Sequence, residues 1–104
     1  MGYGAEVIFF DRATDDLDEV IKEQVEEKKM TYVSPFDDPD VIAGQGTCAK
    51  ELFDEVGKLD YIFCGVGGGG LISGCSLVAE AVSPGCKLYG VEPDVAHDAA
   101  ISLE

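Results

Sequence analysis

An α/β fold, with helices covering a parallel sheet, is the expectation from three features of this sequence. Short β-rich runs alternate with stretches of three-to-four apolar spacing, Gly- and Pro-bearing turns separate them, and a run of glycines joins one strand-like segment directly to one helix-like segment. The expected order is βαβαβαβ. With 104 residues, 46% of them apolar, there is material for one α/β unit with a modest core.

The elements follow in turn. Ala5–Phe10 is rich in β-formers and stops at Asp11-Arg12, which predicts a buried strand. From Thr14 as N-cap, Leu17, Val20, Ile21 and Val25 recur at helical spacing, with acids in the first turn and Lys28 and Lys29 in the last, so an amphipathic surface helix is expected. Met30–Ser34 is a short strand candidate. Ser34-Pro35-Phe36-Asp37-Asp38-Pro39 is a loop, because each proline forces its predecessor out of the helical region, and Asp38 then caps a helix with Pro39 at its first position. That helix runs to Val56, with Gly57 as its terminator. Gly44-Gln45-Gly46-Thr47 weakens its start and offers a pre-helical bend as the alternative. Strand Asp60–Val66, a glycine loop, helix Leu71–Val82, a Ser83-Pro84-Gly85 turn and strand Lys87–Val91 complete the series.

Gly67, Gly68, Gly69 and Gly70 form the most informative feature, and they read as an anion cradle. Without Cβ atoms the backbone reaches φ > 0, and several N–H groups can converge on one oxyanion. The following helix aims its free N–H groups and positive dipole end at the same point, which makes phosphate the natural guest. The bland alternative is a strand-to-helix turn that holds nothing. In an open parallel sheet, ligands sit beyond the carboxyl ends of the strands, where both the glycines and Glu92 would emerge.

Composition narrows the partners. Seven basic against 21 acidic residues give a net charge of −14, which opposes nucleic acid and anionic membrane surfaces, both polyanions. Tyr61–Ala79 carries no charge and approaches membrane-span length, but its six glycines, at about 1 kcal/mol each relative to alanine, exclude a spanning helix. The N-terminus has no secretory pattern. Cys48, Cys64, Cys75 and Cys86 lack close pairing motifs and read as reduced thiols, so a cytoplasmic protein is expected.

Two phosphate motifs compete with a simple cradle. A Walker loop fails because no Lys-Ser or Lys-Thr follows the glycines. Gly65-x-Gly67-x-x-Gly70 with Glu92 after the next strand satisfies a dinucleotide fingerprint, which keeps an NAD(P)-binding oxidoreductase domain as one alternative and a non-enzymatic α/β module as another. The dinucleotide reading requires Glu92 on a ribose.

Four segments together carry a resemblance: Gly2-Tyr3-Gly4-Ala5-Glu6-Val7, Pro35-Phe36-Asp37-Asp38-Pro39-Asp40-Val41-Ile42-Ala43-Gly44-Gln45-Gly46-Thr47, Gly67-Gly68-Gly69-Gly70-Leu71, and Gly90-Val91-Glu92-Pro93. The chain resembles the threonine dehydratase and serine racemase family, pyridoxal-phosphate enzymes of the tryptophan-synthase-β-like fold. The resemblance implies that Gly67–Gly70 and the Leu71 amide hold the cofactor's phosphate. It implies a divalent cation site for Mg²⁺, Ca²⁺ or Mn²⁺ at Glu92, the Ala96 carbonyl and Asp98, a hard-oxygen donor set. It implies a fragment of a larger two-domain enzyme, residues 1–34 ending the smaller domain and 35–104 starting the larger.

No catalytic residue is assigned. The family's Schiff-base lysine belongs to an upstream segment, and Lys22, Lys28, Lys29, Lys50, Lys58 and Lys87 sit at polar faces, a turn or a strand start. The implied parent reaction is ammonia release from a hydroxy amino acid: the cofactor ring absorbs the electrons left by α-proton removal, and loss of the β-hydroxyl leads to a 2-oxo acid. Phe36 stands where serine racemases of the family tend to have Asn, which leans toward threonine or 3-hydroxyaspartate dehydratases. Leu103-Glu104 resembles a cloning-site remnant, which predicts a deliberately truncated chain. Such a chain exposes apolar sheet faces and is expected to self-associate, as its parent would form a homo-oligomer. Sedimentation should therefore find species larger than a monomer at micromolar concentration, and a strictly monomeric profile refutes this.

Overall fold

Aspartates placed just ahead of apolar periodic stretches set where the first two helices begin. In the computed structural model, which describes residues 3–11 and 13–103, the chain divides into two compact units, Met1–Tyr32 and Val33–Glu104.

In the first unit, helix α1 (Leu17–Lys28) is capped by Asp16, whose side chain accepts from the Asp18 and Glu19 amides at 2.9 and 3.4 Å. The expected cap, Thr14, is instead taken into a turn in which its N–H donates to the Asp11 carbonyl at 3.2 Å, and Asp15 accepts from the Asp11 amide. The helix stops at Lys29, which adopts φ 52° and donates its N–H to the Val25 carbonyl. Lys28 Nζ lies 2.8 Å from Glu6 Oε2, an exposed ion pair. No residue of α1 is buried.

The α/β class and the parallel sheet stand, but two of the expected strands do not form. Residues 5–10 and 30–34 carry no ladder among the described residues, and Phe9 is 89% exposed. A strand exists only through hydrogen bonds to a neighbour, so β-rich composition without a partner leaves irregular chain. Gly2 and Arg12, which belonged to the sequence motifs bounding the first of these segments, lie outside the described residues.

The second unit runs α2 (Pro39–Val56), β1 (Tyr61–Gly65), α3 (Gly70–Val82), β2 (Lys87–Val91) and α4 (Asp98–Ser102). Asp38 caps α2 through bonds from Asp40 and Val41 at 2.9 and 3.1 Å, Pro39 opens it, and Gly57 closes it at φ 78°. The sheet is β1 beside β2, parallel, with Tyr61 opposite Lys87 and Gly65 opposite Val91. Alternation along the strands turns Ile62 and Leu88 toward a core of Ala49, Phe53, Cys75 and Ala79. The opposite face is aromatic and open: Phe63 stacks on Tyr89 at 5.3 Å, and Phe63 is 71% exposed. Buried Ser83 ends α3, its N–H donating to the Ala79 carbonyl at 2.8 Å and its hydroxyl to the Leu59 carbonyl at 3.5 Å.

Helix α2 is continuous through Gly44 and Gly46, so no pre-helical bend forms there. The reason is contact: a Cβ on Gly46 would stand 2.7 Å from the Gly74 carbonyl oxygen, and one on Gly74 would stand 2.5 Å from the Gly46 nitrogen. The two helices cross backbone to backbone at this point. Gly46→Ala should therefore destabilise the chain by about 1–3 kcal/mol through overpacking against immovable backbone. Gly44→Ala, whose Cβ meets open space, should stabilise by up to about 1 kcal/mol. Urea melts of the two variants check the opposite signs.

Candidate functional site

The parallel pairing carries two segments to the same end of the sheet. Val66 extends the ladder, its N–H donating to the Val91 carbonyl at 3.0 Å, so the glycine loop and Glu92 leave the carboxyl edge side by side. Gly90 permits this, since a Cβ there would lie 2.7 Å from a Val66 methyl.

Three of the four loop glycines have a structural reason. Gly69 is the N-cap of α3 at φ 93°, a left-handed conformation that strains any L side chain, and its carbonyl accepts from the Ser73 N–H at 3.0 Å. A Cβ on Gly68 would enter the Phe36 ring, 2.6 Å from Cγ, and one on Gly70 would stand 2.9 Å from Phe36 Cα and 3.0 Å from the Pro35 carbonyl oxygen. Gly67 is different, because a Cβ there would meet nothing.

What the loop offers is donors. No side chain caps α3, and among the described residues no acceptor takes a hydrogen bond from the backbone N–H groups of Gly67 through Leu71. These are the orphan donors of a helix start, joined by those of the loop before it. Gly67 and Gly68 are solvent-exposed. An anion with several oxygens, aided by the helix dipole, is the group that satisfies such a set.

The sequence motif Pro35–Thr47 builds the wall against which the loop rests. Ser34 Oγ accepts from the Asp37 N–H at 3.1 Å, Asp38 anchors the start of α2, and Gln45 Nε2 donates to the Pro35 carbonyl at 3.3 Å. Between wall and loop lies a cleft of about 380 Å³ that Phe36, Gln45 and all four glycines line. On the loop's other side a second cleft of about 600 Å³ reaches Glu92, Asp98 and Ser102. Gln45 and the Pro35 carbonyl were not singled out from the sequence; the motif that contains them was the only signal.

The expected cation ligands lie on the segment that leads from β2 into α4. Glu92 Oε1 and Oε2 accept from the Ala99 and Ala100 amides at 3.0 and 2.9 Å, so its carboxylate caps α4. The Ala96 N–H donates to the Pro93 carbonyl, and Asp98 opens α4 while its carbonyl accepts from Ser102 Oγ at 2.7 Å. His97 Nδ1 lies 2.7 Å from the Asp94 carbonyl oxygen. Among the described residues no three His, Cys, Asp or Glu side chains cluster as metal ligands.

The family description "Pyridoxal-phosphate dependent enzyme" fits residues 1–104. The chain belongs to the pyridoxal-phosphate-dependent enzymes. It is 50% identical over 97 residues to the L-threo-3-hydroxyaspartate ammonia-lyase of Saccharomyces cerevisiae and 52% identical over 97 residues to the serine racemase of Schizosaccharomyces pombe. Each alignment takes in 93% of this chain and 30% of the relative. The solved structure of maize serine racemase superposes with a TM-score of 0.86 at 36% identity, over 97% of this chain and 31% of that one. The chain thus spans about a third of the length of these relatives. Family membership replaces the dinucleotide reading, which required Glu92 on a ribose; here the Glu92 carboxylate accepts from the α4 amides.

The donor set fits the cofactor's phosphate: backbone N–H groups, a helix start and no competing side chain. Every lysine of the described residues is exposed, so none of them lies in the desolvated pocket that depresses an amine's pKa. Gly69→Ala should lower stability by about 1–2 kcal/mol because alanine resists the left-handed conformation, whereas Gly67→Ala should change it by less than about 0.5 kcal/mol, as at other unstrained open sites. Thermal melts of both variants provide the check.

Proposed function

We propose that the chain is the phosphate-anchoring segment of a hydroxy-amino-acid dehydratase, with Gly67, Gly68, Gly69, Gly70 and the Leu71 amide holding the phosphate of pyridoxal phosphate. The run of unpartnered N–H groups from Gly67 to Leu71 at the carboxyl edge of a parallel sheet carries this reading. When bound, the cofactor supplies an electron sink for carbon chemistry at the amino acid. The chain's contribution is positional: fixed backbone donors hold one end of a small molecule, and the Pro35–Gln45 wall keeps those donors in register. The anchor brings no acid or base of its own.

For the substrate, the reading favours threonine or 3-hydroxyaspartate over serine racemisation. The Phe36 side chain sets an aromatic ring without a hydrogen-bond donor beside the cradle, and a 3-hydroxyaspartate ammonia-lyase stands among the relatives. The division of the chain into units at Tyr32 and Val33 supports assigning its two parts to the end of one parent domain and the start of the next. Free thiols at all four cysteines favour a reducing, cytoplasmic setting. No helix among the described residues is long and apolar enough to cross a membrane. The open aromatic face of Tyr61, Phe63 and Tyr89 favours a homo-oligomeric or otherwise covered parent sheet.

The cation set Glu92, Ala96 and Asp98 belongs to the same proposal. Mg²⁺, Ca²⁺ or Mn²⁺ there must share Glu92 with the α4 amides, so addition of the cation should shift the Ala99 and Ala100 resonances, and unchanged spectra would remove the site.

Amide NMR with pyridoxal phosphate titrated in is the direct test of the anchor. Shifts confined to Gly67–Leu71 are expected, with Gly67→Ala weakening binding at least about tenfold, near 1.4 kcal/mol, while its melting temperature stays put. Equal binding by that variant, or shifts elsewhere in the chain, would refute the assignment.

A further inference from the structure

A second reactive site lies in the same two helices, and it is made of sulfur. Cys48 on α2 and Cys75 on α3 place their Sγ atoms 3.9 Å apart. The two residues follow Gly46 and Gly74, the glycines whose backbones touch where the helices cross, and that close approach is what lets two short side chains meet. Cys48 is exposed, whereas Cys75 and Cys64 are buried. All three line a cavity of about 250 Å³, walled otherwise by apolar residues such as Leu52, Ile62 and Leu71.

We infer that Cys48 and Cys75 form a peroxide-sensitive dithiol whose oxidation crosslinks α2 to α3. The inference stands on this packing alone and does not depend on the cofactor reading. The small cavity admits a neutral oxidant of the size of hydrogen peroxide.

The chemistry closes in two steps. The Cys48 sulfur attacks one peroxide oxygen, the O–O bond breaks, and Cys48 becomes a sulfenic acid while one water leaves. The Cys75 sulfur then attacks the Cys48 sulfur; the S–S bond forms, the S–O bond breaks, and the hydroxyl departs as a second water with the Cys75 proton. Two thiols have lost two hydrogens and two electrons, and one peroxide has become two waters. The order follows from the surroundings: burial first, then the neighbouring Cys48 and Cys64 thiols, push the Cys75 thiol up to about 12, so Cys75 stays protonated while exposed Cys48 meets the oxidant. A bond of about 2.05 Å requires a closer approach than the 3.9 Å of the reduced pair.

The crosslink would close the segment between residues 27 apart in sequence. It would also fix α3 five residues beyond Gly70, roughly 7.5 Å along the helix axis from its first residue. Oxidation thereby rigidifies the helix pair that supports the glycine loop.

Peptide mapping of the whole chain after treatment with equimolar hydrogen peroxide and N-ethylmaleimide quenching tests this. Trypsin separates Cys48, in Met30–Lys50, from Cys75, in Leu59–Lys87. The expected product is these two peptides joined, lighter by two hydrogens, with fragmentation placing the bond at Cys75. It should persist in Cys86→Ser, vanish in Cys48→Ser, and revert with dithiothreitol. The oxidised chain should melt at least about 4 °C above the reduced one. Sulfinic acid at Cys48 without a crosslink, a bond to Cys64 or to a second chain, or an unchanged melting temperature would each overturn the inference.

Discussion

The backbone contact between Gly46 and Gly74 is the constraint from which the described site follows. At that point α2 and α3 leave no room for a Cβ on either side, so their relative placement is set by main chain, which cannot rotate out of the way as a side chain can. The consequence runs along both helices toward their N-termini. At the start of α2, Gln45 and Asp38 hold the Pro35–Phe36 segment, and at the start of α3 the glycines lie against that segment. Were the crossing wider by a methyl group, Phe36 would no longer meet Gly68, and the loop would lose the surface that keeps its amides together.

This arrangement explains how an acidic chain could offer the anion site proposed for it. A net charge of −14 repels anions at long range, and no lysine or arginine of the described residues lines either cleft beside the loop. Attraction must then come from short-range dipoles: peptide N–H groups and the start of α3. Dipoles act only when aligned, and the close packing of Gly68 and Gly70 against Pro35 and Phe36 holds this loop in place. A site of this kind is specific in shape and weak in steering, since long-range potential requires net charge.

The packing also shows how a site can be well formed in a unit with a small core. Ala49, Phe53, Cys75 and Ala79 are buried between the helices and the inner sheet face, while Phe63 and Tyr89 cover each other on the outer face and remain largely exposed. A two-stranded sheet has little stability alone. Here the glycine crossing gives the α2/α3 pair a rigid centre, and both the glycine loop and the Cys48–Cys75 pair lie within a few turns of it. The chain matches about a third of its relatives' length, and in it the helix crossing and the glycine loop are close neighbours.

What the sequence determined by itself is local chemistry. The Asp38-Pro39 start of α2, its stop at Gly57, the strands at Tyr61–Gly65 and Lys87–Val91 and the glycine loop between strand and helix were legible because each depends on residues within a few positions. The family was legible too, from motifs rather than from periodicity. Other features depended on partners distant in sequence. Residues 5–10 and 30–34 are β-rich, yet a strand forms only where another strand meets it. Gly46 looked like a weakness in a helix until Gly74 was found against it, because propensity counts the entropy of glycine and cannot see the neighbour that demands it. Glu92 carried a carboxylate that suited a ribose or a cation equally well, and only the fold showed it accepting from the Ala99 and Ala100 amides of a helix seven residues away. The sulfur pair joins residues 27 positions apart, and no spacing rule brings them together; the crossing of two helices does.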